Sequence, residues 1–285
     1  MSIEYQSLET VKPFQKLQLL EISKEKAGKS WLAATAPKPV LFFDTDLRAG
    51  SLAGKQGVFA ATLRDPAPHL QPTAFNEILD LLTKLEKECT LKDINPEWPA
   101  VKPATIVDDS ITTTARCAAR FALYTNTDIR RRLSFGNWSV DFQKNFDAWN
   151  AEMSTIESLV LRFLALPYHF IATIHESEEE SEDSTPEKKK FTGKIGVFPA
   201  RYQLLLKYFN DVYHLENAPN PDNPSSQIYV PRVQIKPDYR CPWATTTLNL
   251  TEQFQKPDIA LMLAKHNANT VPKLPQTASS SNTTN

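Results

Sequence analysis

The sequence predicts an α/β protein: a mostly parallel sheet flanked by helices, with antiparallel strands at its edge. Three observations carry this. The short apolar runs "PVLFFDTD", "PATIVDDS" and "YHFIATIH" each end in polar or acidic side chains, the pattern of buried parallel strands. The segments between them repeat their apolar residues at helical spacing. Ahead of them, the stretch Ile22 to Thr35, "ISKEKAGKSWLAAT", leads from a strand-like run through a polar turn into a helix-like one.

Each element follows from its local pattern. "FQKLQLLEIS" has the alternation and Leu/Ile content of a strand over Phe14 to Ile22. The turn after it holds Gly28, Lys29 and Ser30, the second half of the pattern G-x-x-x-x-G-K-[ST], whose backbone N–H groups wrap phosphate oxygens. Ser23 stands at the position of the first Gly. Two readings stand here: a phosphate site, or a surface β–α turn that contains Gly-Lys-Ser. "KSWLAATA" starts a helix that ends at "PKP", and the strand "PVLFFDTD" delivers Asp44, Thr45 and Asp46. "FNEILDLLTKLEKE" places Phe75, Ile78, Leu79, Leu82 and Leu85 on one helical face. A second proline-led strand, Pro103 to Ser110, ends in Asp108 and Asp109, followed by helix-like "ITTTARCAARFALYTN" and "FDAWNAEMSTIESLVLRFLA". Tyr168 to His175 is the next apolar strand. "DVYHLE" and "SQIYVPRVQI" read as antiparallel additions at the sheet edge.

In open parallel sheets, ligands bind outside the carboxyl ends of the strands. Lys29, Asp46, Asp109 and His175 would all fall on that one edge. A nucleoside triphosphate needs a cation for its phosphates, a hydroxyl and a carboxylate for Mg²⁺, and a polar group beside the attacking water. Lys29, Ser30, Asp109 and the pair Asp46/His175 can supply these in order. Taken singly, each has an ordinary structural explanation: an acid ending a strand or capping a helix, a histidine satisfied at a strand end.

The run from "ISKEKAGKSWLAATAPKPVLFFDTD" through "TIVDDSITT" to "FIATIHESEE" and "FNDVYHLE" resembles the phage-type nucleotide-binding AAA-domain proteins, over roughly Leu17 to Glu216. These are RecA-like P-loop ATPases grouped with single-strand annealing and recombination-mediator proteins. The resemblance implies ATP and Mg²⁺ as cofactors, and a nucleotide-binding loop formed by Ser23, Lys24, Ala27, Gly28, Lys29, Ser30 and Trp31. It makes Asp109 the Walker B acid and metal ligand together with Ser30. Asp46 then takes the place of the family's catalytic glutamate, and His175 that of its sensor. It also implies hydrolysis coupled to single-stranded DNA in phage-type recombination or replication, with a single-strand binding or annealing protein and a homo-oligomer as partners. The sequence departs from that pattern at Ser23, at the charged run Lys24-Glu25-Lys26, and at Asp46, which is shorter than Glu. Lys24 also matches the second lysine of ParA/MinD-type partitioning ATPases. A nucleotide-binding scaffold with little hydrolysis is the reading from another class.

Composition sets limits on these readings. The formal net charge is −1, so nucleic-acid contact would need a local patch rather than a basic surface. Arg130, Arg131 and Arg132 near Phe135 and Trp138 are the candidate, because arginines pair with phosphates and bases stack on rings. Cys89, Cys117 and Cys241 are widely spaced, which argues against a zinc site or disulfide framework and fits a reducing cytoplasm. No signal peptide or membrane span is expected. Three parts are anticipated: an N-terminal extension over 1–13, one ATPase domain over 14–250, and a C-terminal extension over 251–285, disordered from about 268. The acidic-then-basic run in 176–194 reads as a flexible loop.

Overall fold

The structure is a computed structural model, and it describes residues 16–66, 71–125, 146–179, 190–194, 203–219, 229–238 and 241–270. Its sheet has the order β3-β2-β4-β5-β1-β7-β8-β9, with β6 paired to β5 outside that path. The strands are β1 (Gln18–Ser23), β2 (Val40–Asp44), β3 (Val58–Thr62), β4 (Thr105–Asp109), β5 (His169–Glu179), β6 (Lys190–Lys194), β7 (Asp211–Pro219), β8 (Tyr229–Gln234) and β9 (Phe254–Gln255). β3, β2, β4, β5, β1 and β7 are parallel to their neighbours in that order. β6, β8 and β9 join antiparallel. β7, expected as an antiparallel addition, instead lies parallel against β1. Val212, Tyr213 and Leu215 are buried along it, so it is an inner strand with both faces covered, the setting that favours parallel pairing. β3 is five residues long and only partly buried, so "VFAAT" carries little strand signal of its own.

Helices cover both faces. One face carries α2 (Ala74–Glu86), α4 (Ile111–Thr125) and α5 (Phe146–Ala165), packed on Leu20, Ile22, Phe43, Ile106 and Phe170. The predicted stripe on α2 is there: Phe75, Ile78, Leu82 and Leu85 are buried, with Leu79 partly so. Phe163 of α5 stacks on Phe170 at 4.8 Å and meets Phe43 edge-on at 5.1 Å. Burying one such ring stabilises by about 2–3 kcal/mol, and this stack fixes α5 against β2 and β5. The other face carries α1 (Lys29–Ala33) and α7 (Ile259–Thr270), over Leu19, Phe42, Val107, Ile171 and Tyr213. Residues after Leu250 therefore add a strand and a packed helix to the same domain. The remaining helices, α3 (Leu91–Ile94) and α6 (Gln203–Leu206), are single turns.

The pleat decides which side chains reach which face. Along β4, Ile106 and Asp108 point to the α2/α4/α5 side, and Val107 and Asp109 to the α1 side. The path β1–α1–β2 crosses over β5 and β4. The turn after β1 thus comes to stand at the carboxyl ends of β4 and β5.

Candidate functional site

Ser23 closes β1 in full burial, and the turn that follows is left-handed at Lys26 (φ 63°) and at Gly28 (φ 97°). Gly28 is required by that φ, not by space: an added Cβ would meet only Pro231 Cβ, at 3.9 Å. Leu32 and Ala33 are buried against the sheet and orient α1, so Lys29 tucks under the turn and Ser30 faces β4. The Lys29 ammonium donates to Ser23 O (3.1 Å), Ser23 Oγ (3.1 Å) and Lys24 O (3.2 Å), and lies 3.5 Å from His175 Nδ1. Burial lowers its pKa, against the opposing pull of Asp109, Glu21 and Asp46.

From β4, Asp109 accepts a hydrogen bond from Ser30 Oγ at 2.5 Å and another from Thr173 Oγ1 of β5 at 2.6 Å. Burial raises its pKa and Asp46 adds to this, while the two hydroxyl donors and Lys29 oppose it. Asp46 accepts from His175 Nε2 (2.8 Å), from Ser110 Oγ (3.1 Å) and from Thr113 Oγ1. Burial alone would raise Asp46, but these three donors and the nearby His175 hold its carboxyl down at about 2. His175 thereby bridges the two groups, with Nε2 on Asp46 and Nδ1 3.5 Å from the Lys29 ammonium.

The loop bearing Asp46 is tied down from both ends. Asp44 accepts the backbone N–H groups of Arg48 (2.9 Å) and Ala49 (3.1 Å). Thr45 Oγ1 donates to Asp109 O (3.1 Å) and accepts from the Ser110 N–H (3.0 Å), lashing β2 to β4.

Lys29, Ser30, Trp31, Asp46, Asp109 and His175 all line one open cavity of about 440 Å³. Gly28 lines it as well. Ala27 is buried in the α1-side core instead, and the exposed side chain of Lys24 does not line the cavity; that residue contributes its carbonyl to Lys29. Arg130, Arg131, Arg132 and Trp138 lie outside the described residues. Asp108, sequence neighbour to Asp109, points to the opposite face and accepts from Thr114 Oγ1 at 2.7 Å. Burial pushes its carboxyl up to about 7, despite that bond.

Sequence reasoning missed four participants. Thr173 and Thr113 matter only through where the fold delivers their hydroxyls. Leu47 lines the cavity with φ 58°, which no sequence pattern announces. Glu21 did leave a trace, as a carboxylate inside the apolar run "QLLEI". It is fully buried in β1, between Thr173 and Tyr213 in register, and neither carboxyl oxygen has a hydrogen-bond partner among the described residues. Burial raises its pKa well above the usual range, Asp109 reinforces this and Lys29 opposes it.

A polar Gly-Lys-Ser turn between a parallel strand and a helix thus faces an acid on a strand two places along the sheet, at the carboxyl edge of an α/β fold with a mostly parallel sheet. No protein-family model matches the chain, and no curated protein matches it. Among solved structures it is similar to a prototypical ATPase from the type III secretion system of pathogenic bacteria. That match has 15% identity and a TM-score of 0.39, and covers 70% of this chain and 52% of the other. The flagellar accessory protein FlaH from Methanocaldococcus jannaschii is similar at 13% identity and a TM-score of 0.34, with 83% of each chain covered. The chain spans about half the length of the secretion ATPase. No helix among the described residues is long and apolar enough to cross a membrane.

Proposed function

We propose that the chain binds a nucleoside triphosphate, ATP in the first instance, with Mg²⁺ and hydrolyses its terminal phosphate. One observation carries this: Ser30 Oγ and Asp109 Oδ2 meet at 2.5 Å beside the Lys29 ammonium, in a cavity large enough for a nucleotide. A hydroxyl and a carboxylate from separate elements form a hard-oxygen pair, which suits Mg²⁺. No group of three or more His, Cys, Asp or Glu able to hold a metal occurs among the described residues, so a cation would rest on Ser30, Asp109 and phosphate oxygens. Once bound, Mg²⁺ would neutralise charge developing on those oxygens.

Lys29 exchanges its bonds to Ser23 and Lys24 for phosphate oxygens. Asp46 accepts a hydrogen bond from the attacking water and orients it. At a pKa of about 2 it is too weak a base to hold the proton, so its part is positioning. His175, between Asp46 and Lys29, registers whether the lysine has moved to phosphate. The scaffold reading also has an observation in its favour, since the Lys29 ammonium is already satisfied within the turn. Phosphate release separates the two. Lys29→Ala should abolish nucleotide binding, and Asp109→Asn should bind nucleotide yet lose Mg²⁺-dependent release. Parent protein that binds ATP without releasing phosphate would establish the scaffold, and unchanged affinity in Lys29→Ala would end both readings.

The cellular setting we propose is the cytoplasm, with single-stranded DNA as partner. The setting rests on the widely spaced Cys89, Cys117 and Cys241, and the partner on the sequence cluster Arg130, Arg131, Arg132 and Trp138 and on the resemblance to phage-type recombination ATPases. An annealing or single-strand binding protein and a homo-oligomer belong to the same proposal.

A further inference from the structure

Two large apolar side chains stand exposed in the wall of the nucleotide cavity. Trp31 is 47% exposed and Leu47 43%, against a core in which most Leu side chains are nearly inaccessible. They come from different elements: Trp31 follows Ser30 on α1, and Leu47 follows Asp46 in the loop after β2. Leu47 also has φ 58°, a left-handed backbone that disfavours any residue with a branched, bulky side chain. The fold imposes this conformation, because Asp44 holds the next two amides, Arg48 and Ala49, in place. Gly or Asn would suit the turn better, and an exposed Leu adds nothing to the core. Strain kept at a ligand-facing position, with the side chain presented to the cavity, points to a contact made with the ligand.

Trp31 is pinned in a complementary way. The Lys55 ammonium lies over its ring, 4.0 Å from the centroid, and Lys55 does not line the cavity. One face of the indole is thereby held from outside, while the ring still borders the cavity. Of the polar side chains nearby, Ser51 Oγ donates to Arg48 O at 2.8 Å and the Arg48 guanidinium faces Glu25 of the turn after β1 at 3.7 Å, while Lys26, which also lines the cavity, presents a flexible point charge and not a fixed donor–acceptor pattern.

We propose that Trp31 and Leu47 clamp the nucleobase of the nucleotide whose phosphates occupy the Lys29–Ser30 turn. The base is held by its faces and not by its edge, so ATP, GTP and CTP bind with affinities within about tenfold of one another. This rests on the phosphate-site reading above, and the test separates the two. Affinities are measured with Mg²⁺ for ATP, GTP, CTP and inorganic tripolyphosphate, which has no base, using parent, Trp31→Ala, Leu47→Gly and Lys29→Ala proteins. Trp31→Ala should weaken all three nucleotides by about tenfold or more, the scale of base–aromatic stacking, and leave tripolyphosphate unchanged. Leu47→Gly should weaken nucleotides in the same selective way while its unfolding temperature holds or rises, since glycine takes the left-handed backbone without strain. Lys29→Ala should weaken nucleotides and tripolyphosphate together. ATP should also quench a part of the tryptophan fluorescence that Trp31→Ala lacks. Tripolyphosphate binding as tight as ATP in the parent, or equal losses for both in Trp31→Ala, would overturn the clamp and leave the phosphate site standing. A parent that binds neither would remove the phosphate site and the clamp with it.

Discussion

Asp108 and Asp109 are adjacent in sequence and opposite in environment, and Asp108→Asn tests that separation quantitatively. Asp108 is buried on the α4 side, with Thr114 as its hydrogen-bond donor and the charges of Asp109 and Asp46 nearby. Burial is the main reason its pKa rises from the usual 3.8 to about 7. An acid whose folded pKa is raised binds its proton more tightly when native than when unfolded. Its stabilising contribution is therefore complete below pH about 4 and is lost as pH rises to about 7, after which the curve is flat. At about 1.4 kcal/mol per tenfold in proton affinity, the loss is about 4 kcal/mol as an upper bound. Local relaxation brings the expected value to about 2–4 kcal/mol. Asn mimics the protonated acid at all pH values. Urea unfolding of parent and Asp108→Asn from pH 4 to pH 8 should give coincident stabilities at the acid end. The variant should then gain steadily on the parent to pH 7, and nucleotide binding should be unaffected. Parallel stability profiles would refute the buried-acid assignment, and lost nucleotide binding would refute the separation of the two faces.

Two further outcomes follow from the same geometry. Ser23→Gly removes one of the acceptors holding the Lys29 ammonium and leaves the Ser23 and Lys24 carbonyls; nucleotide titration should show equal or up to about tenfold tighter binding, from the worth of one charge-assisted hydrogen bond, and a large loss would give Ser23 a role of its own. For the proposed DNA contact, oligonucleotide titration at several salt concentrations should give a log–log slope of about −2 for three arginines. That slope should flatten in the triple Arg130/Arg131/Arg132→Ala variant, while Trp138→Ala should weaken binding at every salt concentration; an unchanged slope and affinity in the triple variant would remove the arginines from the proposal.

Local pattern by itself determined the types of β1, β2, β4, β5, α1, α2, α4 and α5, the α2 stripe and the edge of the sheet on which Lys29, Asp46, Asp109 and His175 meet, but not β3, the helix α7, or the strand at both ends of the run 176–194 that reads as a loop. The reason is that strand alternation, helical spacing and the Gly-Lys-Ser turn are short-range signals, each complete within a few residues. Alternation along β4 was likewise enough to turn Asp108 away from Asp109, because adjacent strand residues face opposite sides whatever surrounds them. What lay beyond the sequence were properties of pairs distant in the chain. That β7 runs parallel beside β1 depends on which strand ends are free to be covered, and this is settled only by the whole sheet. Thr173 reaching Asp109, Thr113 reaching Asp46, and Lys29 folding back onto Ser23 are contacts across strands or across a turn whose backbone the sequence leaves open. Leu47 is the extreme case: its left-handed backbone and its exposure at the cavity arise because Asp44 clamps the loop around it. Only the assembled fold holds a leucine where local preference would have chosen glycine.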